Sequence, residues 1–156
     1  MEIASLARSL AEQPFCKELT QAQVEFLAGC AKNARFEIGD YLFREGSLAE
    51  SLYLVRSGKV AIESYVPGRG SLKVDTLGPG DILGWSVLLP PFRWHLDAQA
   101  LEPTLVFALD ANCVRGKVQA DQSFGYAFML RLLAAASQRL MQARLQQLDV
   151  YKAELR

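Results

Sequence analysis

The sequence predicts a mainly β fold with helices, of the α+β class: an antiparallel β jelly roll, or double-stranded β-helix, flanked by N-terminal helices and one long C-terminal helix. Three observations carry this expectation. Between residues 35 and 110 short segments repeat with a period of two, as in KVAIESYV (59–66) and LKVDTL (72–77), the spacing of strands with two distinct faces. Glycines stand between these segments, where a tight corner favours a residue that tolerates positive φ. On either side of this region the apolar spacing becomes helical.

Residues 1–34 read as N-terminal helices. Ile3, Leu6, Ala7 and Leu10 recur at helical spacing, and Pro14 interrupts them. Thr20 can then cap a second helix with Val24, Leu27 and Ala28 on one face. Residues 35–110 read as the β-roll. Val60, Ile62 and Ser64 oppose Lys59, Ala61 and Glu63, while Leu72, Val74 and Thr76 oppose Lys73 and Asp75. Ser57-Gly58 marks a hairpin, Pro67-Gly68-Arg69-Gly70 an exposed tip, and Leu77 to Asp81 a sharp turn. TLVFALD (104–110) reads as a buried strand. Residues 111–156 open with a short helix, ANCVRGKVQA, after which Asp121 can cap a helix of about 35 residues, roughly 50 Å long. Its first half, from Phe124 to Ala136, is apolar on nearly every side and is expected to pack onto the sheets. Its second half narrows to a seam at Leu140, Met141, Leu145 and Leu148, which suits a partner helix and predicts a homodimer. The three segments make one compact domain.

Composition narrows the functional classes. The chain has 156 residues, 51% hydrophobic and 22% charged, with 17 basic and 17 acidic side chains. A balanced charge gives no footprint for nucleic acid or for a membrane surface. No apolar run reaches the length of a membrane span and no signal peptide is recognisable, so a cytoplasmic protein is expected. Cys16, Cys30 and Cys113 form no CxxC pair, so reduced, mostly buried thiols are expected, with Cys16 the favoured redox-sensing candidate. His95 is the single histidine, which leaves no ligand cluster for a metal and no Ser-His-Asp constellation for Ser86. No catalytic residue and no metal site are expected, and the protein is not expected to be an enzyme.

GDYLFREGSLAESLYLVRSGKVAI (39–62), with Gly39, Gly46 and Gly58 at its corners, resembles the opening of the cyclic-nucleotide-binding domain of the catabolite activator protein family. LGPGDILG (77–84) resembles the next turn of that family, which leads into its phosphate-binding cassette. TLVFALD resembles its last barrel strand, and the terminal helix its dimerisation helix. The likeness covers roughly residues 15–150. It implies a stand-alone domain of this type, with a cyclic nucleotide as the one cofactor to consider. Relatives with this domain commonly carry a winged helix-turn-helix after the long helix. Here the sequence runs to Arg156 without a recognition helix, so direct DNA binding is not expected.

The cassette falls on GWSVLLPPFRWHLDAQA (84–100) and departs from the family pattern. Gly84 matches the glycine, and Ser86, Val87 and Leu88 can begin the short helix. Trp85 stands where the resemblance implies the ribose-binding glutamate; an indole donates a hydrogen bond and cannot accept one. Trp94 stands in the arginine column, with Arg93 one place out of register. Three readings stay open. Trp85, Arg93, Trp94 and His95 form an altered pocket for a planar or anionic ligand, or the tryptophans fill the pocket, or ordinary cyclic AMP recognition survives. His95 reads most simply as a hydrogen-bonded structural group. The expected function is that of a regulatory sensor that binds a nucleotide-like or small anionic ligand weakly or not at all and acts through a protein partner. The alternatives are a ligand-free dimeric interaction scaffold and a transcription regulator truncated before its helix-turn-helix.

Overall fold

The structure is a computed structural model that describes residues 2–154, so the outer ends of the first and last predicted segments lie outside the described residues, as does the side chain of Ile3. Helix α1 (Glu2–Ala11) buries Ala7 and Leu10. Pro14 fits the first position of a short 3-10 turn, Pro14–Cys16, where its missing N–H has no partner to lose. Helix α2 (Gln21–Ala28) begins with a reciprocal capping box: the Gln23 N–H donates to Thr20 Oγ1 at 3.1 Å, and the Thr20 N–H donates to Gln23 Oε1 at 2.9 Å.

Eight strands follow: β1 (Ala31–Phe36), β2 (Tyr41–Phe43), β3 (Ser51–Ser57), β4 (Val60–Val66), β5 (Gly70–Leu77), β6 (Ile82–Leu83), β7 (Asp97–Ala100) and β8 (Thr104–Asp110). They pair antiparallel in two four-stranded sheets, ordered β1-β8-β3-β6 and β2-β7-β4-β5, the roll that the alternation predicts. The first strand starts at Ala31, inside the segment read as helical, because AKNARF keeps most of its side chains at least partly in water and shows no apolar alternation. Leu52, Leu54, Phe107 and Leu109 are fully buried. At the β3–β4 hairpin Gly58 has φ +101°, and a Cβ there would stand 2.7 Å from the Pro103 carbonyl oxygen, so this corner has no room for a side chain.

The alternation of β5 breaks at Val74. Ile62 pairs with Asp75 and Glu63 with Lys73, so Val74 is an extra residue in a β-bulge. A bulge re-aims its neighbours. Val74 and Asp75 thereby line the same cavity, although a regular strand would set them on opposite faces.

Asp110 caps α3 (Ala111–Ala120), accepting from the Cys113 N–H at 2.9 Å, and Asp121 caps α4 (Gln122–Glu154), accepting from the Phe124 N–H at 3.0 Å. The two helices meet where Gly125 approaches the Val118 carbonyl, which a Cβ would reach at 2.7 Å. The first half of α4 is not enclosed as expected. Phe124, Gly125, Phe128 and Leu132 are buried, but Tyr126 is 71% exposed, and Met129, Leu130 and Leu133 are exposed as well. A straight helix touches a convex roll along one line, and residues a half-turn away stay in water.

The cysteines also differ from expectation. Cys30 and Cys113 form a disulfide, with Cα atoms 5.5 Å apart across 83 residues of sequence. The register of β1 against β8 ends at Ala31 and Leu109, and the Asp110 N–H donates to the Cys30 carbonyl at 2.9 Å. The first turn of α3 then sets Cys113 beside Cys30. A pairing created by strand register leaves no local spacing for the sequence to display. Cys16, the favoured redox candidate, is instead 2% exposed, and burial pushes its thiol up to about 12 against a small opposing effect of Arg131. Such a thiol holds little thiolate at neutral pH. Iodoacetamide at pH 8 is expected to leave Cys16 unlabelled in the folded protein and to label it after denaturation, read by intact mass. Because the native thiol is held neutral, its contribution to stability is full below the ordinary value of 9.0 and is lost as pH rises towards about 12. Burial raises Tyr53 as well, adding in the same direction.

Candidate ligand pocket

The cassette is built on Gly84. With φ +104° it turns the chain from β6 into a 3-10 helix, Trp85–Leu88, in which Val87 is fully buried. A Cβ on Gly84 would meet the Trp94 ring at 3.0 Å and the Ser51 carbonyl oxygen at 3.1 Å, so glycine also makes room for the indole. Arg115 of α3 fastens the cassette from behind: its guanidinium donates to the Val87 carbonyl and lies 4.5 Å over the Phe92 ring.

Gly84, Trp85, Ser86, Trp94 and His95 line one cavity of about 370 Å³ between the β2-β7-β4-β5 sheet, the cassette and α4. Trp94 is 5% exposed and stacks on Phe43 with ring centroids 3.8 Å apart, filling the inner end. Trp85 and Ser86 are only partly buried, and His95 is exposed. Val87 lies beneath the floor, contributing its carbonyl to Arg115 and no surface to the cavity. The tryptophans therefore divide the roles proposed for them: one packs, one borders open space.

Arg93 does not join this group. The segment that contains it pairs with 46–48: the Trp94 N–H donates to the Ser47 carbonyl at 3.1 Å, and Leu48 bridges Arg93. Neighbours in extended chain face opposite ways. With Trp94 inward, Arg93 is exposed, donates to the Gly46 carbonyl at 2.8 Å and borders a separate surface depression with Leu48 and Glu50. As an anion-holding residue of the cavity, Arg93 is thus misplaced by one position.

The arginine that does reach the cavity comes from α4. Arg139, 18% exposed, donates to the Asp75 carboxylate of β5 and lies 3.1 Å from the Asp81 carboxylate in the β5–β6 turn. Asp81 also accepts from the Gly78 N–H at 2.8 Å, so the turn holds the carboxylate in place. Ala136, Leu140 and Ala143 line the cavity beside it. Small residues one turn either side of Arg139 let the helix approach, a signal present in the sequence but weak among its many alanines. Arg131, two turns earlier, ties α4 to the N-terminal turn by donating to the Phe15 carbonyl at 3.2 Å. Arg139→Met is expected to cost about 2 kcal/mol, since two partly buried carboxylates lose a charged donor, and to raise hydrogen exchange in α4 beyond Ala136. An unchanged urea midpoint would argue against a closing role.

Among the described residues no group of His, Cys, Asp and Glu is arranged to hold a metal ion, and no helix is long and apolar enough to cross a membrane.

Residues 34–121 match the family model described as cyclic nucleotide-binding domain. No curated protein matches the chain. Among solved structures, a putative cyclic nucleotide-binding protein from Geobacter metallireducens GS-15 is 25% identical, with TM-score 0.74 over 90% of this chain and 98% of its own. The sensor domain of the transcriptional regulator DNR from Pseudomonas aeruginosa shares the fold at 20% identity and TM-score 0.71, over 90% of this chain and 95% of its own. So does the regulatory domain of Toxoplasma gondii PKA with cAMP, at 20% identity and TM-score 0.72, over 87% of this chain and 50% of its own. A matching family model over more than half the chain, together with the two-sheet roll, the cassette turn at Gly84 and the covering helix, places this chain in the cyclic nucleotide-binding domain family.

Proposed function

We propose that the protein is a non-enzymatic sensor module. A small ligand enters the cavity under α4, alters how α4 rests on the roll, and a homodimer formed along α4 passes that change to a protein partner. One observation carries this reading: α4 closes the cavity with Arg139 and Leu140 while leaving an apolar stripe in water. That stripe runs through Tyr126, Leu130, Leu133, Met141, Leu145 and Leu148, with steps of three or four residues except where the exposed Ser137 stands between Leu133 and Met141, a spacing that suits a second helix. It contains three of the four seam residues read from the sequence and extends them towards the N-terminal end. Leu140, the fourth, borders both stripe and cavity.

Cyclic nucleotides bind weakly or not at all in this reading. Trp85 supplies no acceptor for a ribose hydroxyl, Trp94 fills the arginine position, and Arg93 faces away. The Toxoplasma domain that holds cAMP shows what the fold accommodates elsewhere. The cytoplasm is kept as the location. In that compartment thiol buffers oppose persistent disulfides, so the redox poise sets the state of Cys30 and Cys113.

Titration with cyclic AMP, cyclic GMP and unrelated small molecules, followed by tryptophan emission and thermal melting, tests the sensor. A ligand at a hundredfold over its Kd adds about 2.7 kcal/mol of stability. Failure of every compound to move the melt would leave the ligand-free scaffold. Solution mass tests the dimer: Leu145→Glu with Leu148→Glu is expected to halve it, and an unaltered mass removes the seam.

A further inference from the structure

The cavity differs from a phosphate site in charge as well as in shape. Arg139 is the one arginine or lysine lining it, and Asp75 and Asp81 already hold its guanidinium. Asp75 lines the cavity beside it, and Asp81 holds it from the turn outside, so the one positive charge is already answered and is not free for an incoming anion. The remaining surface is apolar and aromatic: Phe43, Leu83, Trp85, Trp94, Leu96 and Leu140. Ser86, His95 and the indole N–H of Trp85 are the side-chain groups left to offer hydrogen bonds. At about 370 Å³ the space falls within the range of small-molecule sites, which combine apolar walls with a few placed polar groups. The partly buried Trp85 gives a flat ring a surface to pack on.

We propose that the ligand of this cavity is an uncharged, planar, largely apolar molecule with a single hydrogen-bonding group, and not an anion. The proposal rests on the sensor reading above and names its ligand class. Desolvating a phosphate against an apolar wall whose one guanidinium is already paired is unfavourable, whereas an aromatic ring exchanges water for indole and leucine. Ser86 and His95 orient its one polar group at the rim.

Two probes that differ mainly in charge separate these classes: N-phenyl-1-naphthylamine, which is neutral, and 8-anilino-1-naphthalenesulfonate, which carries a sulfonate. Their fluorescence and the quenching of protein tryptophan are followed on the full chain. The neutral probe is expected to bind one per protomer, at least about tenfold more tightly than the sulfonate. Ala136→Trp fills the cavity and abolishes that binding. Because Ala136 is partly buried, Ala143→Trp at an exposed position of the same wall gives the same loss without a threat to folding. Leu145→Glu with Leu148→Glu leaves it intact, which separates the cavity from the exposed stripe. Equal or tighter binding of the sulfonate, or displacement of the neutral probe by micromolar cyclic AMP, would overturn the ligand class while sparing the sensor. Neutral-probe binding that neither tryptophan variant reduces would overturn the site. Absence of binding by both probes and by cyclic AMP would sink the sensor and the ligand class together.

Discussion

Reduction of the Cys30–Cys113 bond is expected to lower the free energy of unfolding by about 4.5 kcal/mol at 25 °C. The bond closes a loop of 83 residues, and the loop-closure entropy it removes from the unfolded chain gives that figure. For a domain of this size the melting temperature should fall by roughly 10–15 °C. The native fold should survive the loss, because α3 keeps its Asp110 cap and the Arg115 hold on the Val87 carbonyl. Far-UV circular dichroism at 20 °C should therefore stay unchanged while the melt shifts. Cys113→Ser should reproduce the shift without reductant and abolish any further effect of it. A melt insensitive to both treatments would mean that the two thiols contribute nothing to stability as a pair.

Trp94→Ala should destabilise by about 4 kcal/mol, the range for removing a large buried aromatic. Trp94 is almost fully buried, and its loss also removes the stack on Phe43. This variant bears on the site as well as on stability, because the vacated volume joins the cavity under α4. The neighbouring glycine supplies a control. Gly84→Ala alone meets both the Trp94 ring and a strained φ, so it should destabilise on its own. In the Trp94→Ala background the ring contact is gone, and the Ser51 carbonyl contact and the backbone strain remain. The double variant should then lose less than the two single losses added together, measured by urea denaturation. Strict additivity would show that the two residues do not share space.

Much of the fold was readable because it rests on local chemistry. Thr20, Asp110 and Asp121 sit at helix starts as capping residues do, and Gly58 and Gly84 stand where positive φ is needed. The turn from Gly84 into a short helix was readable for the same reason. What the cassette side chains face was legible only in part. Arg93 was legible as one place out of register with Trp94, but only the pairing of this segment with residues 46–48 set the tryptophan inward and the arginine outward. Three features were invisible for a common cause: they depend on elements far apart in sequence. The bulge at Val74 is defined only by its partner strand, the disulfide by the β1–β8 register, and Arg139 by where α4 crosses β5. The helix also misled through composition. Abundant apolar residues suggested enclosure, whereas an exposed stripe has the same composition and differs only in what lies opposite.

Helix α4 is also a lever with an unequal pair of arms. Its fulcrum is the buried end at Phe124 and Phe128, where Gly125 locks it to α3. Arg139 lies fifteen residues beyond Phe124, about 22 Å, and Glu154 lies thirty beyond it, about 45 Å. Lifting the rod by 1 Å at the Asp75 contact therefore displaces its far end by about 2 Å. Two such rods joined along their stripes would scissor in opposite senses, so an ångström-scale event inside the cavity becomes a change in the separation of two distant tips.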